Sequence, residues 1–323
     1  MNYIVSFKTF SRAIFLLLLM LIFSCSLWIN DKPLVIKYNQ NWYYPIFFNY
    51  YPEDFQLIEE INLDYKTLDP RKIQFLINPI VNWNPYQSDM SLAEIPASPS
   101  SSHLWGTDDR GRDLFARCIY ASKTLLFITF LGVGMSTFLG VILGSLAGFL
   151  GGVFDFIMLR FIEVVQSIPF LFLAGSLFSF SSGSYLKTIL IISFFYSFKS
   201  ILPTRAFVMD FKHREFINAS RLLGMNSIQI WYFHILRHCR EIFQMQIPTM
   251  LLQFCLVLTS LEYLGFGVQP PEPSFGEIFM QAQNQFLTAP WILWFPCIYF
   301  FTLLLSISSV LKQIPKIVSN QIT

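Results

Sequence analysis

His234 and His238 stand four residues apart in this 323-residue chain, a spacing at which two imidazoles on one helix face can share a metal ion. No Glu follows His234 and no third ligand lies nearby, so a metal site is not expected there. The neighbouring carboxylates Asp108 and Asp109 are a second pair with acid/base potential. Arg110 and Arg112 lie within four residues of them, which makes ion pairing the expected role. Arg160 and Glu163, one turn apart at the start of an apolar run, read as an interfacial pair, because a proton path would need further ionisable groups deeper in the apolar runs. The chain has no Gly-Lys dipeptide, hence no Walker A loop to cradle a nucleotide phosphate. Its five cysteines (Cys25, Cys118, Cys239, Cys255, Cys297) show no CxxC or Cys/His spacing and read as packing residues. No catalytic residue and no metal ligand is assigned.

The elements that hold these groups belong to a membrane. The chain is 54% hydrophobic and 13% charged, with a mean hydropathy of +0.51, against about 25% charge in an average soluble domain. A hydrocarbon core about 30 Å thick asks for about 20 apolar residues in a helix. Six segments meet that length: residues 13–29, 124–149, 156–180, 187–204, 242–261 and 291–311. The expected fold is an all-α polytopic transmembrane bundle of six spans, with a small extracytoplasmic subdomain between the first and second. Lys199 and Arg205 are placed in the last turns of the fourth span, where their stems reach the interface. Pro169 and Pro248 fall within spans and are expected to kink them.

Orientation follows from the basic residues. Lys8, Arg12, Arg160, the 199–240 loop, Lys312 and Lys316 share one side if six helices alternate, and that side is the cytoplasm, with both termini in it. Residues 181–186 and 262–290, on the other side, contain no Lys or Arg. A signal peptide is the rival reading of residues 1–29, on Lys8, Arg12 and the Ile22-Phe23-Ser24-Cys25 run. The bulk of Phe23 and the continuation of the apolar run through Trp28 favour a span. Three parts are expected: a tail and first helix (1–29), an extracytoplasmic segment (30–102), and a core (103–323) of five helices with a cytoplasmic loop at about 205–241. Pro45, Pro52, Pro70, Pro79, Pro85, Pro96 and Pro99 break any long helix in the second part. Its aromatic runs 42–44 and 47–51 are expected in a lobe on the outer face, with 97–102 as a linker.

Three motifs stand out in the core. Gly106, Thr107, Asp108, Asp109, Gly111, Arg112 and Asp113 form a rigid polar knot, read as an outer-face element that braces the path or meets a partner, with Asp113 as the N-cap of the next helix. Ser136, Gly140, Gly144 and Gly148, at a strict spacing of four, make a small-residue face for a close helix contact, internal or to another subunit. Arg214, Glu215, Asn218, Ala219, Ser220 and Gly224 lie in a short polar helix, 214–224, between apolar spans. It reads as a docking helix, with Ala219 and Ser220 small enough to enter a groove and Gly224 suited to a left-handed cap.

These residues resemble the permease subunits of ATP-binding-cassette importers, in the dipeptide/oligopeptide/nickel branch and its C-type subunit. The outer element resembles residues 106–113 followed by the glycine-rich span that ends at 148–152. The family's EAA coupling loop looks like Asn218-Ala219-Ser220, Gly224 and His234-Ile235-Leu236, and its distal signature is similar to residues 264–276. Asn218 stands where the family has an acid, with Glu215 one turn earlier, and Arg237 replaces its terminal proline. The resemblance implies a non-enzymatic, multi-pass subunit of a bacterial inner membrane that transports a peptide, or else nickel or another small solute. It implies a second permease, two cytoplasmic ATP-binding subunits and an extracytoplasmic solute-binding protein as partners. ATP is used by those subunits, no cofactor belongs to this chain, and no nucleic-acid partner is expected. A secondary transporter would show a repeat between halves, and none is visible.

Overall fold

A computed structural model describes residues 16–55, 63, 65, 68–179 and 184–311. Residues 16–23 are helical and, after a turn at Ser24, a short helix α1 follows at Cys25–Trp28. The expected first span at 13–29 thus lies partly outside the described residues.

Between 30 and 102 the all-α expectation has an exception. Strands β1 (Val35–Tyr38), β2 (Asn41–Tyr43) and β3 (Ile73–Ile77) form an antiparallel sheet in the order β2-β1-β3. Asn39 and Gln40 turn β1 into β2 with φ of 48° and 71°, the left-handed pair that a two-residue hairpin matched to strand twist requires. Ile36, Tyr38, Phe55 and Leu68 make the local core, while Phe47, Phe48 and Tyr51 stay exposed. Residues 97–102 are no free linker. Ala97 exchanges two hydrogen bonds with Thr107, its N–H donating to Oγ1 at 2.8 Å and its carbonyl accepting from the Thr107 N–H at 2.9 Å.

Asp113 then starts α2 (Leu114–Leu150) by accepting from the Ala116 N–H at 2.8 Å, the N-cap that its position predicts. The 37 residues make a rod about 55 Å long, so its first turns extend beyond the expected 124–149 span. Gly151 (φ +66°) ends it. The Lys212 ammonium donates to the Gly148 carbonyl at 2.9 Å, a cation at the negative end of the helix.

The expected third span, 156–180, is not one helix. It divides into α3 (Gly152–Ser167) and α4 (Phe170–Ser179), bent by 82°. The cause is Pro169, which cannot donate to the helix ladder and holds Ile168 extended (φ −92°, ψ 128°). Pro203 and Pro248, by contrast, sit inside α5 (Tyr185–Phe211) and α8 (Arg237–Tyr263), which continue through them. Since α5 runs to Phe211, Lys199 and Arg205 are interior residues rather than last-turn ones. Arg205 forms a two-point ion pair with Asp155 of α3, which supplies locally what snorkelling would have had to find at the interface.

The small-residue face of α2 packs on α5, so this contact is internal to the chain. A Cβ at Gly140 would stand 2.3 Å from Ser200 Cβ, one at Gly144 2.6 Å from the Ile201 carbonyl oxygen, and one at Gly148 2.7 Å from the Arg205 carbonyl oxygen. Ser136 is fully buried on the same face. A short helix α6 (Glu215–Leu222), α7 (Ser227–Ile230) and a π-helical turn (Trp231–Leu236) lead from α5 into α8. After α8 come α9 (Phe275–Asn284) and α10 (Trp291–Leu311). Among the described residues four helical stretches are long and apolar enough to cross a membrane, or five if the bent pair counts as one span.

Candidate functional site

The two chemistry-bearing clusters lie on separate elements, one before and around the start of α2 and one on the connection from α5 to α8. In the first, Gly106 (φ +76°) and Gly111 (φ +73°) provide the left-handed backbone that folds the loop back on itself. Asp108 Oδ1 accepts from the Arg110 and Arg112 N–H groups at 2.9 and 3.0 Å, and Oδ2 accepts from Arg112 Nε at 2.7 Å. Arg112 Nη2 also donates to Glu277 Oε1 at 3.2 Å, and Arg117 Nη2 donates to Glu277 Oε2 at 2.5 Å. Arg117 Nε lies 3.3 Å from Asp108 Oδ2, closing a ring of four buried charges. Asp109 and Arg110 remain exposed outside it. The expected ion pairing is therefore between Asp108 and Arg112, while Arg117 and Glu277 complete a network that the local motif does not contain.

A second buried cluster is built on Asp113. His103 Nδ1 is 2.9 Å from Asp113 Oδ2, and its Nε2 is 3.3 Å from Asp89 Oδ2. Burial opposes charge on the imidazole, but the two carboxylates hold His103 above its ordinary range. Asp89, although burial raises it, is held lower by hydrogen bonds from Ser91 and by His103. Stability from His103 is complete below its ordinary pKa of 6.5 and is lost as pH rises through the raised folded value. Stability from Asp89 is present above its ordinary 3.8 and is lost as pH falls through the lowered folded value. The melting temperature of the purified chain should thus be highest between those two values, and His103→Gln should flatten its fall towards pH 8. An unchanged slope in that variant would remove His103 from the account.

The second cluster is the connection. The docking helix expected at 214–224 is the eight-residue α6, with Arg214 before it and no side-chain cap. Gly224 (φ +87°) closes it: its N–H donates to the Arg221 carbonyl at 3.0 Å, and that of Met225 to the Ser220 carbonyl at 3.2 Å. This is the paired C-terminal motif that needs a left-handed residue. Asn218 and Ala219 are exposed, whereas Ser220 is turned inward, its Oγ donating to the Phe216 carbonyl at 2.8 Å and lying 3.4 Å from His234 Nε2. Only Ala219 of the two small residues is thus available to a partner. Leu222 and Leu223, which composition alone did not single out, are 90% and 85% exposed at the end of the helix.

His234 and His238 are spoken for locally. His238 Nδ1 lies 2.7 Å from the His234 carbonyl oxygen, and both rings pack against Phe216. No group of three or more His, Cys, Asp or Glu placed to hold a metal occurs among the described residues. Arg160 and Glu163 do pair, at 2.5 Å, with both side chains exposed. The connection is tied to the bundle by Trp231 Nε1, which donates to Ser145 Oγ of α2 at 3.1 Å.

Residues 140–318, from the glycine face through the connection to α10, match the family of binding-protein-dependent transport system inner membrane components. The chain belongs to that family. It is also 32% identical over 286 residues to the inner membrane ABC transporter permease protein YejE of Escherichia coli, covering 86% of this chain and 83% of that one. Similarity extends to the dipeptide transport system permease protein DppC of Haemophilus influenzae (30% identity, 64% of this chain, 70% of the relative) and to the oligopeptide transport system permease protein OppC of the same organism (26%, 66% and 68%). A transporter permease is a non-enzymatic membrane component, in keeping with the absence of any catalytic assignment in the sequence.

Proposed function

We propose that this permease imports a peptide across a bacterial inner membrane, paired with a second permease and driven by two cytoplasmic ATP-binding subunits. An extracytoplasmic binding protein delivers the solute, and ATP is consumed by the partner subunits. The chain crosses six times, counting the 13–29 segment and the α3–α4 pair, with both termini in the cytoplasm and the 30–102 segment outside. The observation that carries this is the family match, which spans the short, exposed, glycine-closed helix between two long apolar ones. The names of the dipeptide and oligopeptide relatives support the choice of solute.

In this assembly α6 is the part that the ATP-binding subunits grip. Arg214, Glu215 and Asn218 supply its polar contacts, Ala219 permits close approach, and Gly224 sets the direction in which the chain leaves. Leu222 and Leu223, exposed in the isolated chain, are covered by the partner. Residues 106–113 brace the outer mouth. Ala219→Glu adds a charge to an exposed position, so folding is kept while a tight interface must bury an unpaired carboxylate. Co-purification of the ATP-binding subunits should fall about tenfold, or about 1.4 kcal/mol. A cysteine at Asn226 should react with an impermeant thiol reagent only after permeabilisation, and one at Asn284 from outside. Full ATPase co-purification by Ala219→Glu, or outside labelling at Asn226, would sink this placement.

A further inference from the structure

We propose that Lys199 of α5, within a membrane-spanning helix, is a pairing point for a free carboxylate on the solute, beside a polar wall formed by one face of α8. This rests on the importer reading above. Lys199 is about 21 Å along the helix from Tyr185 and about 18 Å from Phe211, near the middle of α5 and directly after its charge-free run 188–198. It is exposed, its Nζ donates to Gln253 Oε1 at 3.0 Å, and it lies 4.2 Å from the centroid of the Tyr196 ring. Both partners are neutral, and none of the ion pairs among the described residues includes Lys199. A cation within a membrane-spanning helix with its charge uncancelled faces a water-filled path or a protein partner rather than lipid.

The neighbouring face of α8 has the same character. Gln246, Thr249, Gln253, Leu256, Ser260 and Tyr263 follow one another in steps of three and four, which places them on one side of the helix. Thr249, Leu256, Ser260 and Tyr263 are exposed and the two glutamines half-buried. A helix face with amides and hydroxyls at this spacing is poorly suited to hydrocarbon, where they would lack water. The spare hydrogen-bonding capacity of the two glutamines is donor capacity, while Ser260 and Tyr263 already donate to the Leu256 carbonyl and to Gln283. Gln253 Oε1 is taken by Lys199 and Gln246 Oε1 by Ser200, while Gln246 Nε2 is buried without a partner among the described residues. Donors beside an uncompensated ammonium recognise an anion with acceptor oxygens, and a peptide's free C-terminal carboxylate is one. At the far end of the stripe, Tyr263 with Phe279, Gln283 and Phe286 lines a cavity of about 450 Å³, room for solute side chains.

The test uses the complete importer in proteoliposomes with its binding protein, and two probes, tetra-alanine and its C-terminal amide. The quantity read is the ratio of their initial ATP-dependent uptake rates; the binding protein is the same throughout, so a change in the ratio comes from the permease. Lys199→Met should lower the preference for the free acid about tenfold, and Lys199→Arg should keep it. Gln253→Glu, which offers the ammonium an internal carboxylate, should lower it as well, and carries the test if Lys199→Met fails to assemble. An unchanged ratio in Lys199→Met, or equal loss of both peptides, overturns the pairing role and leaves the importer reading standing. Absence of ATP-dependent uptake of either peptide by the unmodified complex removes the peptide reading, and the proposal with it.

Discussion

Glu277→Ala is expected to destabilise the chain by about 3 to 5 kcal/mol, the usual cost of breaking a buried ion pair from one side. Glu277 receives Arg112 at 3.2 Å and Arg117 at 2.5 Å, and the side chains of Arg117 and Asp108 are fully buried. Removing its carboxylate leaves two guanidinium groups facing one remaining acid, Asp108, in a site that water does not reach. Desolvation of the second guanidinium then has nothing to offset it. Thermal unfolding of the purified chain measures the loss, and folded yield should drop with it. Glu277→Gln, which keeps the shape and some hydrogen bonding, should cost less. A double variant, Arg117→Met with Glu277→Leu, should recover part of the difference, because apolar groups carry no such desolvation cost. A melting temperature for Glu277→Ala equal to that of the parent would mean that the network is solvated and the buried arrangement wrong.

Gly144→Leu should abolish most of the folded protein while leaving membrane insertion unimpaired. Its Cβ would meet the Ile201 carbonyl oxygen at 2.6 Å, Thr204 Cβ at 2.9 Å and Ile201 Cα at 3.1 Å. Two of these are backbone atoms of α5 and cannot rotate away, so the helices must separate along a face where Gly140 and Gly148 are equally close. Overpacking of this kind costs about 1 to 3 kcal/mol at a single site, and separation of the whole face adds to it. The added leucine meanwhile makes the span more apolar, which favours insertion. Gly134→Leu is the control, since nothing lies within 4 Å of a Cβ there. Size-exclusion profiles of detergent extracts, set against the amount in the membrane fraction, separate the two effects. Matching profiles for Gly144→Leu and Gly134→Leu would refute the close contact.

Features encoded over one or two turns were legible in the sequence. Asp113 as N-cap, Gly224 as left-handed stop and the spacing of Gly140, Gly144 and Gly148 all act within a few residues, and the structure has each. The helix that receives the glycine face was not legible, because Ser197, Ser200 and Ile201 carry no mark that pairs them with α2. Nor was Glu277, about 160 residues from the arginines it joins; nothing local tells a buried Glu in α9 from a solvated one. Pro169 announced a bend but not one of 82°, since the apolar run passes through it unbroken. Three small or polar residues in a row, 218–220, spread around an eight-residue helix, and Ser220 turns inward because it shares the face of the buried Ile217, beside His234.

The length of α2 makes its two ends one mechanical body. Packed at backbone distance along α5, it has no glycine left free to hinge between Gly140 and Gly148, so it can pivot but cannot fold. A pivot of only about 5° about one end of a rod about 55 Å long carries the other through about 5 Å. Asp113 caps that rod at one end, and Lys212, just short of α6, is bonded to its other. Small rotations at the connection from α5 to α8 are thereby geared up to ångström-scale strokes at the charge network around the start of α2.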